Sequence, residues 1–60
     1  MKFTEKERTT IYIALSHAVD FYIEGYQSAV DMKDISSADY YYNQIIETKR
    51  LQEKVIQNEF

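Results

Sequence analysis

Cysteine, proline and tryptophan are missing from this 60-residue chain, and glycine and histidine occur once each. Each gap removes a class of structure. Without cysteine there is neither a disulfide nor a thiolate metal site, and His17 alone cannot assemble a zinc centre. With no proline and only Gly25, the punctuation that separates short strands is lacking, so the chain reads as long helices rather than strand hairpins. No apolar run approaches the roughly 18 residues of a membrane span, and the opening MKFTEKERTT has no signal-peptide apolar core. The expected location is cytoplasmic.

What is present argues for a folded chain. Hydrophobic residues make up 45% and aromatic residues 15%, with a net charge of only −3, which is too apolar for a solvated tail. A chain of this length buries only about 60% of the surface its unfolded form exposes. Disulfides and metals being excluded, the remaining stabiliser is a second chain. Isoleucine, tyrosine and lysine are frequent and arginine is scarce, the bias of AT-rich coding in a low-GC bacterium or its phage.

Thr4 and Glu7 have the spacing of a capping box, which predicts a helix from Glu5. Apolar residues then recur with helical period at Ile11, Leu15, Ala18, Tyr22, Tyr26 and Ala29, and the pattern carries to about residue 31. Ser16, His17, Asp20 and Glu24 fall on the opposite, solvent side. The segment 32–36 breaks the pattern. Ser36 with Asp39 three positions later reads as a second cap, with Ile35 placed to staple onto Tyr40. A second helix is expected over about 37–58. Two helices with a short connection make an antiparallel hairpin, so the expected fold is all-α, in one domain.

On a helical wheel the apolar positions of the first helix cover roughly 200°, whereas a surface helix needs a stripe somewhat wider than 100°. One neighbour cannot cover that arc. A homodimer of hairpins, giving a four-helix bundle, supplies the second neighbour. The expected core, shared between hairpin and dimer, is Ile11, Leu15, Val19, Tyr22, Ile45, Thr48 and Val55.

The run Tyr40, Tyr41 and Tyr42 cannot share one helix face. Tyr41 and Tyr42 are expected on the inner side, meeting Tyr22 and Tyr26 at the loop end of the hairpin. Between residues 20 and 39 there are five acids, Asp20, Glu24, Asp31, Asp34 and Asp39, against Lys33 alone, a formal charge of −4. Lys6, Arg8, Lys49, Arg50 and Lys54 gather instead toward the chain termini. In length and layout the chain is similar to small plasmid-copy-control RNA-binding hairpins, without a shared residue motif.

His17, Asp20 and Glu24 form the one grouping with catalytic or ligating residue types, and they lie on a solvated face. No enzyme, cofactor or metal chemistry is expected. The reading is a non-enzymatic protein-binding module that modulates or inhibits a partner with a basic surface, with Tyr26, Asp31, Asp34, Tyr40 and Tyr41 as contact residues. The alternatives are a nucleic-acid-binding hairpin dimer using the five basic residues, or a structural assembly protein.

Overall fold

Residues 2–57 are described by a computed structural model, and they form two helices, α1 (Glu5–Asp31) and α2 (Ile35–Gln57). The capping box is present in full. The Glu7 backbone N–H donates to Thr4 Oγ1 at 3.2 Å, and the Thr4 N–H donates to Glu7 Oε1 at 2.8 Å. These bonds satisfy donors that the first turn of any helix leaves without an intrahelical acceptor. The expected end of the second helix at Asn58 lies outside the described residues.

The helices run antiparallel in a slab 42 × 16 × 11 Å. Its length matches the ~40 Å of a 27-residue helix at about 1.5 Å per residue. At mid-length Gln52 Nε2 donates to Ser16 Oγ at 2.9 Å. Ser16 therefore belongs to the helix interface, not to the solvent face where its position on the wheel had placed it. At the open end Arg8 Nη1 donates to the Ile56 carbonyl at 3.0 Å. That bond supplies a cation and a donor to the last turn of α2, where carbonyls lack partners and negative dipole charge gathers.

Burial is sparse. Among the described residues only Val19, Ala29, Thr48 and Val55 are buried, and Thr48 satisfies its hydroxyl on the Gln44 carbonyl at 2.7 Å. Of the expected core, Val19, Thr48 and Val55 are enclosed, while Ile11, Leu15, Tyr22 and Ile45 are only partly buried. The cause is geometric: each helix has one neighbour, so only the residues at the contact line lose their water. Ala29 joins the core because the inter-helix turn folds back over it.

Candidate functional site at the loop end

The turn is shorter than the sequence pattern suggested and has its own logic. The Lys33 N–H donates to the Val30 carbonyl at 3.0 Å, and the Asp34 N–H donates to the Ala29 carbonyl at 2.8 Å. This is the Schellman closure of a helix C-terminus, which requires a left-handed residue between cap and exit. Lys33 fills that position at φ 58°, where glycine or asparagine is usual.

Asp34 then caps α2. Its Oδ1 accepts from the Ser37 N–H at 3.2 Å, and its Oδ2 accepts from the Ser37 hydroxyl at 2.7 Å. The hydroxyl bond, followed by the backbone bond, holds the Asp34 carboxyl below its ordinary value. Ser36 is accordingly inside the helix and is not the cap. The same shift removes the expected staple: Ile35 lies within the first turn of α2, 82% exposed, while Tyr40 packs edge-on against Tyr41. Asp34 wins over Ser36 because the closure of α1 ends at its N–H and leaves its carboxylate facing the first turn.

The three consecutive tyrosines part in three directions. Tyr41 points into the hairpin and its ring lies across Gly25, so closely that a Cβ there would stand 2.6 Å from Tyr41 Cζ. Glycine is required at position 25 for that approach, not for any turn. Tyr42 leans to one broad face and pairs with Tyr26, ring centroids 6.3 Å apart. Tyr40 leans to the other. The four tyrosines expected at the loop end do meet, as two pairs, Tyr22 with Tyr41 and Tyr26 with Tyr42.

Beside the Tyr26 and Tyr42 pair lies a hollow of about 620 Å³. Ala29, Val30, Ile35 and Ala38 line it together with the two rings, and Asp34, Asp39 and Lys33 stand at its edge. Val30 and Tyr42 are each about half exposed. The site is thus an open apolar trough with an acidic rim, suited to receiving an apolar side chain.

Of the expected contact residues, Tyr26 and Asp34 border this trough, Asp31 is exposed in the last turn of α1, and Tyr40 is exposed on the opposite face. Tyr41 is largely taken up by the hairpin itself. Val30, Ile35 and Tyr42 were not among the expected contacts, and their signal was available: three large apolar residues clustered around a predicted turn. His17, Asp20 and Glu24 are all exposed on α1, and no group of three metal-ligating side chains occurs among the described residues. No described helix is long and apolar enough to cross a membrane. Compared with protein families, curated proteins and solved structures, the chain matches none.

Proposed function

We propose that this chain is a small non-enzymatic module that binds, and thereby modulates or inhibits, a partner protein with a basic surface, such as a nucleic-acid-binding regulator or enzyme. Its setting in this reading is the cytoplasm of a bacterium or of a phage-infected cell, and its working form is a homodimer of hairpins in a four-helix bundle. The observation that carries the reading is the apolar trough of Tyr26, Val30, Ile35 and Tyr42 set inside the acidic half of the chain. An apolar side chain of the partner fills the trough and the tyrosine rings supply contact area, as aromatic residues do in interface hot spots. Asp31, Asp39 and their neighbours steer a basic surface toward it.

The nucleic-acid reading has less support. Outside residues 20–39 six Lys and Arg stand against five Glu, a net charge of only +1, which leaves little concentrated positive charge for phosphates. The test is affinity capture from the source organism with three versions of the chain: native, Val30→Asp and Asp39→Lys. Asp34 is left intact because it caps α2. The native chain is expected to retain a partner that Val30→Asp loses and that Asp39→Lys holds weakly, with capture falling as salt rises. Capture indifferent to both substitutions refutes the site. Steeply salt-dependent binding of labelled nucleic acid would replace the proposal with its rival.

A further inference from the structure

The trough occupies one broad face of the hairpin, and the other broad face is built differently. At about 100° per residue, Phe21, Ala18 and Ala14 lie on one flank of α1, and Tyr12, Ile23 and Val30 on the other. On α2 the same division sets Tyr40 and Leu51 apart from Tyr42 and Ile56. Ring contacts join the flanks. Phe21 packs on Tyr22 at 5.7 Å, Tyr22 on Tyr41 at 6.3 Å, and Tyr41 on Tyr40 at 5.4 Å. The result is a four-ring ridge across the whole width of the face, with its two ends, Phe21 and Tyr40, 64% and 54% exposed.

Toward the open end the same face is recessed. One hollow of about 320 Å³ lies along α1 beside Phe3, Thr10 and Ile11, with Lys6 and Glu7 in its wall, and another of about 380 Å³ lies along α2 beside Gln44, Thr48 and Leu51, with Glu47, Arg50 and Lys54 around them. A surface with a ridge in one half and hollows in the other is complementary to itself once turned end for end, which is the operation of a two-fold axis. The geometry points to an antiparallel homodimer formed through this ring face, with the Phe21 to Tyr40 ridge of each copy seated in the open-end hollows of the other. It rests on the dimeric form proposed above, and adds which face is used and in which direction.

Charge selects the same arrangement. Residues 20–39 carry −4 and the rest of the chain +1, within a total of −3. An antiparallel pair sets each acidic half against the other copy's weakly basic half. A parallel pair sets −4 against −4. Size agrees as well: a face 42 by 16 Å is on the scale of the ~800 Å² per partner that a stable interface buries. The aromatic ridge has the composition of an interface core. The trough, on the opposite face, stays open at each end of the bundle, so the dimer carries two docking sites.

The absence of native cysteine allows single thiols to report on this directly. A nitroxide on Met32→Cys, in the exposed turn, is expected to give an inter-copy distance close to the 42 Å length of the hairpin. Ala18→Cys, on the ring face near the two-fold axis, should join into a covalent dimer under mild oxidation or a short bis-maleimide. Tyr12→Cys, on the trough side, should not. Labels less than half the hairpin length apart, or cross-linking through Tyr12→Cys in place of Ala18→Cys, overturn the antiparallel ring-face interface while leaving a dimer standing. A native chain that sediments as a monomer at high concentration overturns both.

Discussion

Replacing glycine with alanine inside a helix ordinarily stabilises it by about 1 kcal/mol, because glycine loses more backbone freedom on folding. Gly25→Ala should do the reverse. The new methyl carbon would stand 2.6 Å from Tyr41 Cζ and 2.7 Å from Cε1, where ordinary contact begins at 3.4 Å. The ring must retreat by roughly 0.8 Å, and overpacking of this kind typically costs about 1–3 kcal/mol. Retreat also weakens the contacts of Tyr41 with Tyr22 and Tyr40, each ring pair being worth about 0.5–1.5 kcal/mol. After the propensity gain is subtracted, a net loss of about 1–2 kcal/mol remains. In a Tyr41→Ala background the obstacle is gone, and Gly25→Ala should stabilise by about 1 kcal/mol. The coupling between the two positions is therefore about 2–3 kcal/mol, measurable in a double-mutant cycle. Urea unfolding followed by far-UV circular dichroism, at one fixed protomer concentration, provides all four values. A higher midpoint for Gly25→Ala in the native background, or the same change with and without the Tyr41 ring, refutes this packing.

Lys33→Gly should raise stability by up to about 1 kcal/mol by relieving the left-handed φ of a side-chain-bearing residue, opposite in sign to the change at position 25; an unaltered or lower urea midpoint contradicts the turn. The Asp34 carboxylate is bonded to Ser37 and its folded pKa is depressed, so its contribution is present in full above the ordinary carboxylate value near 3.8 and is lost as pH falls through the lower folded value. Asp34→Asn keeps an acceptor without titrating, so its thermal midpoint should lose less than that of the native chain on acidification below pH ~4; parallel acid losses would exclude the cap. Arg8→Ala removes the donor to the Ile56 carbonyl and should speed amide hydrogen exchange in the last turn of α2 while leaving the loop end unchanged.

The hairpin was legible because its determinants are local. Thr4 and Glu7 announce the start of α1 by spacing alone, and helical periodicity carries the element to its end without knowledge of the neighbour. The inter-helix turn was misread for a physical reason. Asp34 with Ser37 and Ser36 with Asp39 are both plausible caps, and the choice is made by backbone closure around Lys33, which has no glycine to mark it. Cross-helix register is the second blind spot. Three tyrosines in succession must diverge by about 100° each, and that much follows from the chain. That Tyr41 rests on Gly25, and that Tyr42 stays on the flank beside a trough, depends on how two helices slide against each other. The acidic character of the loop end was visible as composition. The trough became visible only when Val30, Ile35 and Tyr42 were brought around one hollow.

The four buried among the described residues are a small core for a slab one helix thick, and the partly exposed Ile11 and Tyr22, with the exposed rings of Phe21 and Tyr40, are where a second hairpin gains the most. Thermal unfolding by circular dichroism, paired with sedimentation equilibrium over a hundredfold dilution, tests this directly. The midpoint should fall with dilution and the mass should move from two chains toward one. A single chain at every concentration, melting sharply at one unchanging temperature, would mean that the two helices suffice alone.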